Sequence, residues 1–212
     1  MAATPWRTNG DLVVSCFELG YLHDDWLTAD VTYGRGVWWK KRRPTNLVCH
    51  DVRADGVSFL ALPEDDETYR AVAFDPPYVA TGTRSKTTMP EFYDRYGLVE
   101  APRTPADLQR ILINRGLDEV YRVLEAPVRG VHRGGIALVK CQDYVSSGKL
   151  WIGTHHTLTH ALSIGFTVID RMERIGKQRP QPKRSRKDGK PSVQQHARRN
   201  LSTLFVLQKG NR

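Results

Sequence analysis

Asp75-Pro76-Pro77-Tyr78 sets a carboxylate, two prolines and an aromatic ring in four consecutive positions. That combination suits one kind of nucleophile, an exocyclic amine on a nucleic-acid base. The lone pair of such an amine is delocalised into the ring, so it attacks poorly. A carboxylate accepting one N–H bond, with a backbone carbonyl accepting the other, draws the nitrogen towards sp³ geometry and restores its nucleophilicity. Proline holds φ fixed and has no N–H, so the stretch presents carbonyls rather than donors. An aromatic at the fourth position can stack on a base swung out of its helix. Taken alone, the same residues also fit a Pro-Pro turn that ends a strand, with an incidental Asp and Tyr.

The elements around the tetrad must hold it in place. It follows Arg70-Ala71-Val72-Ala73-Phe74, an apolar run of strand length. Residues 26–31 and 46–52 make two earlier strand-like runs, and residues 57–62 a third that closes on Pro63 and an acidic turn. After the first run comes the turn Thr32-Tyr33-Gly34-Arg35-Gly36, whose alternate glycines let a ligand approach the backbone. Asp51 ends the second run, the usual position for an acid that binds ribose hydroxyls. Glycine turn, ribose acid and tetrad thus fall at successive strand ends. Open parallel sheets bind their ligands at that edge.

Strand-like runs alternating with helical patterns predict a parallel α/β sheet. Residues 16–22 could form a helical lead-in. Thr104-Pro105-Ala106-Asp107 opens a helix with a Thr N-cap and Pro at the first helical position. Gly134-Gly135 introduces a buried strand, Ile136-Ala137-Leu138-Val139-Lys140, and residues 155–164 read as a helix stopped by Gly165. Residues 166–170 and 201–207 finish the chain as β-rich runs. Residues 79–104 lack sustained periodicity and are expected to form a long functional loop.

At 212 residues the chain is expected to form one domain, 1–212, with a well-buried core. Its net charge of +9 favours a polyanionic partner. The charge concentrates between residues 176 and 199, where Lys183, Arg184, Arg186, Lys187, Arg198 and Arg199 stand with a single acid, Asp188. Such a composition buries no core and predicts an extended basic arm that touches nucleic acid; the alternative is a solvated hairpin loop. No apolar run is long enough to span a bilayer, and the N-terminus lacks a signal-peptide core, so a cytoplasmic protein without membrane contact is expected. Cys16, Cys49 and Cys141 are odd in number and widely spaced, which predicts reduced core thiols. The histidines His155, His156 and His160 have no cysteine or carboxylate at ligand spacing, and no metal is expected. Trp38-Trp39 is expected to pack the first helix on the sheet, although one ring could flank a cofactor. Asp143 and Lys149 are either substrate contacts or ordinary loop residues.

Read together, these motifs resemble the amino-group DNA methyltransferases that make N6-methyladenine or N4-methylcytosine, most of all the small versions encoded by bacteriophages and prophages. The likeness runs from about Glu18 to the last strand. It rests on Leu62-Pro63, the acidic turn and Ala71 through Tyr78, and on Gly116-Leu117-Asp118-Glu119-Val120-Tyr121-Arg122-Val123-Leu124 with the Gly-Gly turn and the strand ending in Lys140. The resemblance implies a Rossmann-like class I methyltransferase fold, with seven mostly parallel strands and an antiparallel C-terminal edge hairpin. It also implies S-adenosylmethionine as cofactor and double-stranded DNA as partner. Asp30, Thr32, Tyr33, Gly34, Gly36 and Asp51 would bind the cofactor, and Asp75, Pro76, Pro77 and Tyr78 would carry the chemistry. Two departures stand out. Arg35 occupies the glycine turn where the family has small residues, and Ser58 stands where it often has an acid for the cofactor's adenine. An RNA methyltransferase acting on guanine N2 or adenine N6, and a catalytically decayed nucleic-acid-binding protein on the same fold, are the competing readings.

Overall fold

The protein is described from a computed structural model that covers residues 6–78, 92–98, 104–130, 133–146, 149–176 and 201–210. Parallel pairing begins with β1 (Thr28–Asp30), which lies between β2 (Leu47–Cys49) and β3 (Ala71–Phe74). β3 pairs in parallel with β4 (Ile136–Cys141). β8 (Leu201–Lys209) then runs antiparallel to β4 and carries β7 (Phe166–Ile175) on its far side. The order β2-β1-β3-β4-β8-β7 is therefore a mostly parallel sheet closed by an antiparallel edge hairpin. That is the expected fold class, a Rossmann-like α/β fold. A separate two-stranded hairpin, β5 (Tyr144–Ser146) with β6 (Lys149–Trp151), was not anticipated.

The strand count differs from the expected seven: six described strands form the main sheet. Residues 57–62 account for the difference. They fold back through a single Ser58–Ala61 bridge, and Phe59, Leu60 and Leu62 are buried as plugs rather than as a strand.

Helices cover both faces. α1 (Asn9–Glu18) begins earlier than the lead-in expected at residues 16–22, because Thr8 and Asp11 form a reciprocal capping box at its start. It packs with Trp38, Trp39, Leu138 and Val206 on one face. On the other, α2 (Pro105–Val123) starts at the Thr104 cap the sequence predicts and buries Leu108, Leu112, Leu117 and Val120 against Val72, Phe74 and Val139. Gly116 permits this close approach: a Cβ there would lie 2.3 Å from the Phe74 ring. α3 (Gly153–Ser163) is tied to α2 by His156 to Asn114 and His160 to Asp118. Those bonds give two of the three clustered histidines a structural task.

Cys16 and Cys141 are buried and Cys49 half-buried, all three as free thiols. Burial pushes the Cys16 and Cys141 thiols up to about 12, so both stay protonated. Among the described residues no group of His, Cys, Asp or Glu could hold a metal ion, and no helix is long and apolar enough to cross a membrane. Lys183, Arg184, Arg186, Lys187, Arg198 and Arg199 lie outside the described residues. The chain leaves the sheet for this segment after Ile175 and returns at Leu201, two residues that pair with each other.

Candidate active site

Adjacent parallel strands β1 and β3 end in acids, Asp30 and Asp75, and these organise the site. Parallel register aligns their ends, pairing Asp30 with Ala73, so Asp75 begins just beyond. Thr32 joins them: its hydroxyl accepts the Asp75 backbone N–H at 2.8 Å and sits 3.5 Å from Asp30 Oδ1. Trp38 and Trp39, consecutive in sequence, donate their indole N–H groups to the two acids, at 3.2 Å to Asp75 Oδ2 and 2.8 Å to Asp30 Oδ2. Both rings pack in the core as expected, and their N–H groups also bind the two carboxylates.

Asp30 is sealed, with 2% of its surface exposed. Burial pushes its carboxyl up to about 7, against the opposing pull of its hydrogen bonds from Trp39 and Thr32. Asp75 is instead open to a cleft and meets three donors. Trp38 and Lys140 both reach Oδ2, Lys140 Nζ at 3.0 Å, while the Tyr78 hydroxyl donates to Oδ1 at 3.1 Å. Burial, reinforced by the neighbouring Asp75, raises the Tyr78 phenol well above its ordinary range, so it remains a donor.

The glycine turn closes on itself through Gly36 N–H to the Tyr33 carbonyl, with Gly34 and Gly36 at φ 55° and 62°. A Cβ at residue 36 would meet the Tyr33 hydroxyl at 2.6 Å, so glycine is required there both for φ and for space. Asp51 joins the turn to β2: its Oδ2 accepts from Gly34 N–H and its Oδ1 from Arg53 N–H. Each oxygen keeps a further lone pair for a hydroxyl donor.

A cleft of about 240 Å³ opens at this edge, and Thr32, Asp51, Asp75 and Pro77 share its wall. Asp30, Tyr33, Gly34, Gly36, Pro76 and Tyr78 do not line it. Phe59 and Tyr96 add an aromatic side, their rings 5.0 Å apart. Tyr96 belongs to a helical turn at residues 92–96, within the described 92–98 part of the expected 79–104 loop, and this portion packs on the core. Phe59, Tyr96 and Lys140 were not expected as site residues, whereas the Trp38-Trp39 pair already offered a ring that could flank a cofactor. Only Lys140 carried a local signal, a charge closing an otherwise apolar strand. Asp143, a candidate substrate contact, instead accepts from the Thr154 N–H and hydroxyl and caps α3. Lys149 sits exposed on β6.

A methyl-donor nucleotide would find its complement in this donor set. Asp51 offers a carboxylate for vicinal hydroxyls, the 34–36 turn allows close backbone approach, and Phe59 with Tyr96 offers a flat apolar wall.

No protein-family model matches the chain, and no curated protein matches it. Solved structures do resemble it. The [4+2]-cyclase SpnF superposes with a TM-score of 0.50 at 14% identity, over 97% of this chain and 86% of the cyclase. A candidate DNA modification methylase from Thermus thermophilus gives 0.36 at 15% identity over 72% of this chain, which spans only 49% of that protein's length. A SAM-dependent methyltransferase from Methanosarcina mazei gives 0.45 at 8% identity, over 91% of this chain and 96% of that one. At such identities the likeness concerns the fold.

Proposed function

We propose that the protein is an S-adenosylmethionine-dependent methyltransferase that methylates an exocyclic amine, adenine N6 or cytosine N4, in double-stranded DNA. One observation carries the reading. The Asp-Pro-Pro-Tyr carboxylate opens into the same cleft as Thr32 and the ribose-type acid Asp51. The charge of the 176–199 segment and its departure from the catalytic edge, at the paired residues Ile175 and Leu201, support DNA as the partner. On this reading the segment and the rest of the 79–104 loop contact the target, giving low or short-sequence specificity.

Thr32, Asp51 and the glycine turn would hold the cofactor, with Asp30 fixing Thr32 from behind. Bound there, S-adenosylmethionine supplies an electrophilic methyl group whose sulfonium leaves as a neutral thioether. Asp75 accepts one N–H of the target amine and the Pro76 carbonyl the other, which aims the nitrogen lone pair at that methyl. Tyr78 stacks on the extruded base. Asp75 then holds the proton that the methylated nitrogen sheds and returns it to water through the open cleft.

Incubation with radiolabelled S-adenosylmethionine and either DNA or RNA, followed by digestion to nucleosides, tests the proposal. Label in N6-methyl-2′-deoxyadenosine or N4-methyl-2′-deoxycytidine from DNA is the expected result. Label only in RNA would replace this reading with an RNA methyltransferase. No transfer to either, from protein that still binds the cofactor in calorimetry, would sink it.

A further inference from the structure

Both Asp75 oxygens are occupied before any base arrives. Oδ2 takes the Trp38 indole and the Lys140 ammonium, and Oδ1 takes the Tyr78 hydroxyl. Oδ2 is therefore full, whereas Oδ1 keeps one lone pair open to a target amine, and the donors differ in how readily they would give way. Trp38 is locked in the core beside α1, with 4% of its surface exposed. The Lys140 side chain is 7% exposed, and leaving Asp75 would strand an ammonium in a buried setting. Tyr78 is neutral and does not line the cleft, so its ring must reorient to stack on a base. Its withdrawal, unlike that of Lys140, would strand no charge.

We propose that Lys140 is a positioning residue that, with Trp38, clamps Asp75 Oδ2, so that Oδ1, which keeps a lone pair beside the Tyr78 hydroxyl, is the oxygen that receives the target amine. The inference rests on the methyltransferase reading of this cleft. Its geometric basis is the β3–β4 register: Phe74 pairs with Val139, which brings Lys140 alongside Asp75 at the strand ends. A clamp on one oxygen fixes the carboxylate plane and aims the other. Reaction rates depend steeply on such aim. Lys140 Nζ also lies 5.9 Å from the centre of the Tyr78 ring, so the same ammonium steadies the aromatic side of the site.

The test uses the full chain with Lys140→Ala, Lys140→Arg and added alkylammonium ions. Lys140→Ala is expected to lower kcat by about 10- to 100-fold, a loss of the size seen when a positioned polar group is removed. KM for cofactor and for DNA should stay within about twofold, because neither ligand is bound through Oδ2. Ethylammonium, sized to refill the site, should restore kcat at least in part, and tetramethylammonium, which has no N–H, should not. A kcat near that of the parent, or a loss that no ammonium ion recovers, would overturn the proposal. If Lys140→Ala does not fold, Lys140→Arg decides: a folded variant as inactive as Asp75→Ala argues against a clamp that needs only a cationic donor. The Trp38 indole N–H resonance reports Oδ2 without any turnover. It should move in Lys140→Ala and return with ethylammonium. Should the parent transfer no methyl group at all, the functional reading falls while this resonance still decides the clamp. An indole signal indifferent to both changes would refute it.

Discussion

Asp30 and Asp75 end neighbouring parallel strands, share Thr32, and each receive an indole N–H from one of two consecutive tryptophans. Their surroundings nevertheless give them opposite characters. Asp30 is shut away from water with neutral donors, and burial lifts its carboxyl to about 7. Asp75 faces the cleft and has a cation, Lys140, as counter-charge. A cationic partner preserves a carboxylate where solvent is scarce, whereas neutral hydrogen bonds only partly offset its desolvation. One acid therefore serves as an architectural post, and the other stands at the cleft with a cation beside it.

Substitution should separate the two most sharply. Asp75→Ala is expected to reduce methyl transfer by at least about 100-fold while calorimetric cofactor affinity changes little. If Asp75→Ala kept full activity, the chemical role would have to move elsewhere. Next in size is the partner interaction, which should involve neither acid. Replacing Lys183, Arg184, Arg186 and Lys187 by Ser should weaken DNA binding and flatten its salt dependence by about one logarithmic unit of slope per lost contact. An unchanged slope would assign those charges to solubility alone.

Asp30 should reveal itself through stability rather than rate. The folded protein keeps a proton on Asp30 up to about pH 7 that the unfolded chain releases near 3.8. Stability from this group is thus complete below about pH 4 and is lost as pH rises towards 7. Asp30→Asn removes that dependence, and the two unfolding curves should converge or cross over this window by up to about 4 kcal/mol. Parallel curves would mean that Asp30 is ionised throughout. The smallest effect belongs to an exposed pair. Lys41→Ala breaks the contact with Asp11 and should cost under about 1 kcal/mol in denaturant titration.

Much of this arrangement was legible in the sequence, for identifiable reasons. The Thr104 cap, Pro105 and the spacing of Leu108, Leu112 and Leu117 specify α2 locally. The tetrad and Asp51 were legible because each follows a short apolar run. What escaped depends on contacts between distant segments. Residues 57–62 look like a strand, but Phe59 is drawn inward by Phe74, at 5.3 Å, and by Tyr96. Trp38 and Trp39 look like packing residues, and nothing nearby in the chain announces that their N–H groups end on Asp75 and Asp30. Asp143 looked available to substrate because α3, whose first turn it caps, begins ten residues further on in sequence but lies beside it in space.

The sheet order also bears on how the chain is made. β8 is the last described strand to be synthesised, yet it lies inside the sheet, between β4 and β7. During translation the outer edge of β4 must wait for a partner that emerges roughly 60 residues later, on the order of 3–12 s at ordinary elongation rates. Throughout that interval an apolar strand carries unpaired amide and carbonyl groups, the template on which neighbouring nascent chains can add. A chain stalled before residue 201 is accordingly a candidate client for chaperones, whereas a released chain closes its own edge.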